Sequence, residues 1–297
     1  MITNLIISNN STNPTIYELL SNYFSAKISI NHCPHCKSTK FIKYGKFNDS
    51  QRYLCKNCNR TFSKTTNTPR YYSKKNSNYW QKYITLLCTA TSLRQSAQKN
   101  KINLKTAFIW RHKILHALES MIETSELNDC IEMRKLFIKE NYKGNRTKIV
   151  NEARKVWIIA SSDSNDDTFA KAVSLGLWKK RNFDKLVYYK LNKKSYIKAF
   201  GDNYIKSIAL KHNVGKAEKS SSASISLINR FIGNIKGIIS NCRGVATKYL
   251  PHYFSLAKIL SLVKNFSILE LNNNISNFSS YIPGDNLKEI LPSFETV

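Results

Sequence analysis

The sequence predicts a multi-domain α/β protein built from a zinc ribbon, a helix-turn-helix and an α/β domain with a mixed sheet. Three observations predict it. Two C-x2-C pairs lie near the N-terminal end, helical periodicity runs over residues 78–118, and from residue 127 the pattern changes to short strand-like runs interleaved with helical ones. The expected parts are a polar leader (1–30), the ribbon (31–64), the helix-turn-helix (77–120), the α/β domain (127–268) and a loose tail (269–297).

The ribbon rests on Cys33-Pro34-His35-Cys36 and Cys55-Lys56-Asn57-Cys58, with eighteen residues, 37–54, between the pairs. Two such knuckles can close a tetrahedral site of four thiolates, the usual ligand set of structural Zn²⁺. Four protein ligands leave no open position, so Cys33, Cys36, Cys55 and Cys58 are expected to build a platform and to do no chemistry. A redox role fits less well, because neither pair is set in a strand-helix pattern. Cys88, Cys130 and Cys242 lie in apolar or scattered settings and read as reduced thiols of a reducing compartment.

Charge narrows the partners. The chain has 297 residues with 47 Lys and Arg against 19 Asp and Glu, a formal charge of +28 spread along its length. An AT-rich coding bias would supply some lysines, but it would supply more acidic residues than are present. A folded protein with such a field attracts a polyanion, and inside a cell that points to nucleic acid. Residues 1–7 have no basic n-region and no long apolar core, so no signal peptide is expected. No apolar run reaches the eighteen or so residues of a membrane span. A soluble, cytoplasmic, nucleoid-associated protein is therefore expected.

Within 78–118, Tyr79, Tyr83, Leu86 and Leu87 mark a first helix, Ser92 opens a second, and a third starts after Asn103, whose side chain is placed to cap it. Two short helices joined by a tight turn, the later one basic, suit a helix-turn-helix. Lys105, Thr106, Ile109, Arg111 and Lys113 are its candidate DNA-contacting residues, with Phe108 and Trp110 facing the core. The same periodicity fits an ordinary three-helix bundle, and the adjacent ribbon and basic charge favour the former. Beyond 127, strands are expected at 130–138, 155–161, 168–175, 185–189 and 207–214. Helices are expected at 195–200, along the Ile228, Phe231, Ile232, Ile235, Ile239 stripe, and over 251–266.

Four stretches carry a family resemblance. They are the cysteine ribbon ending in Arg60-Thr61-Phe62, the 106–115 helix, Tyr142-Lys143-Gly144-Asn145-Arg146, and Arg243-Gly244-Val245-Ala246-Thr247-Lys248-Tyr249-Leu250-Pro251. Together they resemble bacterial insertion-sequence transposases of the DDE type that have an N-terminal zinc ribbon. The resemblance implies an RNase H-like domain that cuts and joins DNA with two Mg²⁺ ions. It also implies double-stranded DNA as partner, in the form of terminal inverted repeats, and a homo-oligomer. Two-metal phosphoryl transfer needs carboxylate oxygens. The family's first Asp falls on Arg134, within Glu132-Met133-Arg134-Lys135, and its second on Leu191 or Asn192. Its Asn and Lys positions fall on Asn229 and Lys236. Charges about 4 Å apart interact by roughly 4 kcal/mol at an effective dielectric of about 20, and a dication doubles this. An Arg in place of an Asp therefore turns attraction into repulsion, and impaired or lost catalysis is expected. Two alternatives stand beside it. One is an active enzyme with a displaced metal site using Glu132; the other is a repurposed DNA-binding regulator. Asp163, Asp166 and Asp167 crowd a turn and read as solvated turn residues.

Overall fold

The ribbon is a three-stranded antiparallel sheet of β1 (Phe41–Phe47), β2 (Ser50–Cys55) and β3 (Thr61–Ser63) in that order. In this computed structural model the described residues are 30–47, 50–66, 68–71, 73–121, 126–142, 153–165, 167–217 and 226–262. The leader over 1–29, the tail beyond 262, Asp166 and most of the 142–146 motif lie outside them. A ribbon this small has little core. Phe41, Tyr53 and Phe62 supply it as an aromatic trio with ring centroids 5.4–5.7 Å apart, packed against Cys33 and Cys55.

Three helices follow, α1 (Ser77–Cys88), α2 (Leu93–Lys99) and α3 (Leu104–Met121). Ser92 caps α2 through Gln95 in a Ser-x-x-Gln box, its hydroxyl bonded to the Gln95 side chain at 2.8 Å. The Asn103 carboxamide oxygen accepts from the Lys105 amide at 2.8 Å, as its position in the sequence predicts. Trp80 and Trp110 stack at 4.0 Å between α1 and α3, and the Tyr83 hydroxyl donates to the Ala107 carbonyl. Phe108, expected in the core, is only half-buried and packs on His112 and Tyr249.

The second sheet has the order β6 (Thr168–Leu175), β5 (Lys155–Ser162), β4 (Cys130–Lys139), β7 (Tyr196–Phe200). The first three strands form an antiparallel meander, and β7 is parallel to β4. Alternation divides β4 cleanly. Ile131 and Met133 join a core with α4 (Lys180–Leu186) and α5 (Asn203–His212). Leu136 and Ile138 join the opposite core with α6 (Ser226–Asn241) and α7 (Leu250–Leu262). That second core also contains Trp80, Tyr83, Trp110, Ile114 and Leu118, so the three N-terminal helices and the sheet share one apolar interior.

Three expectations fail between 180 and 214. Residues 185–189, expected as a strand, belong to α4 and a 3-10 turn, Tyr188–Lys190. The Leu186-Val187-Tyr188-Tyr189 run has β propensity, but burial follows Phe183 and Val187, one helical turn apart, while Tyr188 and Tyr189 are exposed. Residues 195–200, expected as a helix, contain β7, because the Cys130–Arg134 edge supplies a parallel partner from far away in sequence. Residues 207–214, expected as a strand, belong mostly to α5. Asp202 starts this helix by accepting from the Tyr204 and Ile205 amides, and Ile205 and Ala209 bury one face.

The Arg243 to Pro251 motif lies between α6 and α7 and closes the domain. Gly244 has a φ of +82° and an added Cβ would meet the Asn141 side chain at 2.6 Å, so both backbone and space demand glycine. Next to it, Asn141 and Thr247 exchange two hydrogen bonds of 2.9 Å.

At the β5–β6 turn, the buried Asp163 carboxylate accepts from the Asn128, Asn165 and Asp167 amides. Asp163 and Asp167 are thus organised turn residues, Asp167 pairing with Lys258 of α7 at 3.4 Å. Burial pushes the Asp163 carboxyl up to about 6, against those amides. Its stabilising contribution is complete below the ordinary value of 3.8 and is lost as pH rises through 6. Asp163→Asn removes this titration. Its stability relative to the parent is expected to improve by up to about 3 kcal/mol between pH 4 and pH 7, measured by urea unfolding at each pH.

Candidate metal centre and nucleic-acid interface

The two cysteine knuckles have the same local geometry. In the first, the Lys37 amide donates to the Cys33 carbonyl at 2.9 Å, and in the second the Asn59 amide donates to Cys55 at 3.0 Å. The residue after each pair, Lys37 or Asn59, is left-handed, with φ of 63° and 52°. The strand order β1-β2-β3 brings the knuckles face to face. Cys33 and Cys58 sulfurs are 3.7 Å apart, Cys36 and Cys55 sulfurs 3.5 Å, and all four lie within 4.8 Å of one another. Sulfurs about 2.3 Å from one tetrahedral zinc are about 3.8 Å apart, while a disulfide needs about 2.05 Å. The spacing therefore fits Zn²⁺ and excludes disulfides. Burial would raise the Cys55 thiol, but the Cys58 and Asn57 amides and the neighbouring thiols pull it down to about 6. The Cys58 thiol is pushed up to about 12 by burial and by the thiols of Cys36, Cys55 and Cys33, despite the Arg60 amide. The thiols cannot readily all ionise together, and a bound dication removes that conflict.

The ribbon's outer surface is basic and aromatic. Ile42, Tyr44 and Phe47 are exposed among Lys43 and Lys46, and the Arg52 guanidinium lies 5.9 Å from the Tyr44 ring. A second basic surface is a groove of about 860 Å³ lined by Lys179, Lys180, Arg181, Asn182 and Lys185 at the start of α4.

On α3, Lys105 is exposed, and Thr106, Ile109 and Lys113 are partly exposed. Arg111 is not available to a ligand. It is 2% exposed, and its guanidinium donates to the Thr91 carbonyl at 2.7 Å, the Ser96 hydroxyl at 3.1 Å and the Cys242 sulfur at 3.9 Å. In the sequence it is one more cation of a basic helix; in the fold it bridges α2 and the end of α6.

Arg134 and Asn229 come together. Arg134 projects from the face of β4 covered by α6, and its guanidinium donates to the Asn229 carboxamide oxygen at 2.7 Å. Lys236 lies two turns further along the same exposed side of α6. Glu132 is on the Arg134 side of β4, 6% exposed. Burial raises its carboxyl, Lys198 opposing, and its Oε2 has no hydrogen-bond partner among the described residues.

Leu191 and Asn192 do not belong to this group. Leu191 bridges to Leu127, and the Asn192 side chain donates to Asn128. Position 127 lies before the start of β4 at Cys130, whereas Arg134 is its fifth residue. Both residues therefore sit beyond the N-terminal end of β4, while Arg134 lies in its middle. Arg134 is paired in register with Phe200 of β7, and the acidic residue just past that strand is Asp202. Asp202 forms an ion pair with Lys135. Burial would raise its carboxyl, but Lys135 and the Ile205 and Tyr204 amides hold it below the ordinary carboxylate range. The Gly201-Asp202-Asn203 punctuation before a helix was its available sequence signal. Among the described residues, three or more potential metal ligands gather at the cysteines and at His116, Glu119 and His252; neither group includes Glu132 or Asp202.

No family profile matches this chain, and no solved structure matches it. An uncharacterized protein in transposable element ISH50 of Halobacterium salinarum is 31% identical to it over 114 residues. The chain is similar to a transposable-element protein. The match covers 38% of this chain and 38% of the relative. No described helix is long and apolar enough to cross a membrane.

If the four cysteines hold zinc, Cys55→Ser should lower the zinc content of the purified chain by one equivalent and abolish protection of the ribbon amides from hydrogen exchange. Both are read on one sample by metal analysis and exchange mass spectrometry.

Proposed function

We propose that the chain is a transposase-like DNA-binding protein that has kept its grip on duplex DNA and lost normal strand-transfer chemistry. The observation that carries the catalytic half is the Arg134–Asn229 contact of 2.7 Å. The resemblance puts the first metal-binding Asp at Arg134. A fixed guanidinium there repels a dication and takes the carbonyl oxygen of Asn229. Lys135 adds a second cation and engages Asp202. With Glu132 alone facing Arg134, too few carboxylates are left to hold two ions about 4 Å apart.

The binding half rests on the +28 charge, the basic and aromatic ribbon face, and Lys105 and Lys113 on α3. The relative in transposable element ISH50 favours transposon ends, the terminal inverted repeats, as the DNA bound. Zinc serves as a structural ion and Mg²⁺ has no normal site. Assembly as a homo-oligomer on paired ends and association with the nucleoid follow from the same reading.

A specific observation favours a second reading, an active enzyme with a displaced metal site. Glu132 is buried with one carboxylate oxygen unpartnered among the described residues. One cleavage assay on duplexes carrying the element's ends, in Mg²⁺ or Mn²⁺, separates the two. No nicking by the parent chain, with nicking gained in Arg134→Asp, supports the first. Nicking by the parent that Glu132→Gln abolishes overturns it in favour of the second.

DNA affinity should fall steeply with salt, log K dropping by about 0.9 per phosphate neutralised. A flat response in fluorescence anisotropy would refute nucleic-acid binding. Lys105→Ala should lower affinity severalfold with unchanged thermal stability. Arg111→Ala should instead destabilise the fold by about 3 kcal/mol, because it orphans buried acceptors.

A further inference from the structure

A second constellation of metal-ligating side chains lies where α3 crosses α7. His112, His116 and Glu119 follow one another at steps of four and three along α3, so they share a face. His252 stands in the first turn of α7. One ligand atom each from His116, Glu119 and His252 lies within 4.8 Å of the others. His252 Nε2 is 3.4 Å from a Glu119 carboxylate oxygen. Two ligands of a tetrahedral Zn²⁺ at about 2.05 Å are about 3.3 Å apart, so this pair is already at ligating separation.

The surroundings prepare His252 for a metal. It is fully buried, and its Nδ1 is 3.1 Å from Nδ1 of the equally buried His112. With His252 protonated at Nδ1, its N–H donates to the His112 Nδ1 lone pair. That tautomer leaves the Nε2 lone pair of His252 directed at Glu119. Metal-bound imidazoles are characteristically held through their other nitrogen in this way. The Glu119 side chain is 43% exposed, which gives an ion a route in from solvent. A simple His252–Glu119 ion pair would account for one distance, but not for the His116 nitrogen in reach or for the orienting His112.

We propose that His116, Glu119 and His252 form a second metal site, taking a zinc-class divalent ion with solvent at its fourth position and clamping α3 to α7. Two imidazoles and one carboxylate suit Zn²⁺ or Co²⁺ and disfavour Mg²⁺, which prefers oxygen ligands. The site is separate from the cysteine quartet and joins the N-terminal helices to the last described helix of the sheet domain.

The test uses the full chain, stripped of metal and titrated with Zn²⁺ against a competing chelator. Glu119→Gln, half-exposed and isosteric, should weaken one class of Zn²⁺ sites by more than about tenfold. His116→Ala combined with it should lower bound zinc by one equivalent, while the circular dichroism of the single variant stays that of the parent. Cys55→Ser should leave that equivalent in place. With Co²⁺, the equivalent sensitive to Glu119 should add visible d–d absorption without thiolate charge-transfer bands. Unchanged zinc affinity and content in a folded Glu119→Gln chain, or a Glu119-sensitive Co²⁺ spectrum carrying thiolate bands, overturns the proposal.

Discussion

The rest of the structure depends on the burial of one face of the β4–β5 sheet. Leu136, Val156, Ile158 and Ala160 present an apolar surface to α6 and α7. Trp80, Trp110, Ile114 and Leu118 from the N-terminal helices belong to the same apolar cluster, which α3 joins through α7. Three helices attached through a shared interior are held in a set orientation to the sheet, because moving them would expose several large side chains to water. Arg111 strengthens the same joint from within, bonding backbone and side-chain acceptors of three segments while buried.

The two cations in the middle of β4 are placed by this packing. The helix α6 lies over β4 with its Ile228, Phe231 and Ile235 stripe inward, which leaves Asn229 at the sheet margin. Only there can it meet Arg134. On the opposite face, Lys135 is enclosed by Trp157 and Trp178, each 4.7 Å from its ammonium, and reaches Asp202. Two adjacent cations thus use the two faces of one strand to engage the carboxamide and the carboxylate nearest to them.

Much of the fold was legible in the residues. The cysteine spacing, the Ser92 and Asn103 caps, the meander β4–β5–β6 and the isoleucine stripe of α6 are local patterns, each readable within one element. The segment 180–214 was not. There the choice between helix and strand depended on whether Tyr196 to Phe200 found a parallel partner at Cys130 to Arg134, a contact between residues more than sixty apart. Local β propensity at 186–189 pointed the other way, towards a strand where the fold has a helix and a 3-10 turn. Arg111 was misjudged for a related reason, since a buried arginine and a DNA-facing one look alike in a basic helix.

The sequence by itself determined the four-cysteine knuckles, the strong positive charge and the three-helix periodicity of 78–118, because ligand spacing, charge and local pattern are properties of short stretches. Only the tertiary structure decided that Asp202 closes the strand beside Arg134, that Arg111 is an interior brace, and that His116, Glu119 and His252 converge. Those relations join residues far apart in the chain, and they exist only once burying the sheet's apolar face has fixed which helices cross it.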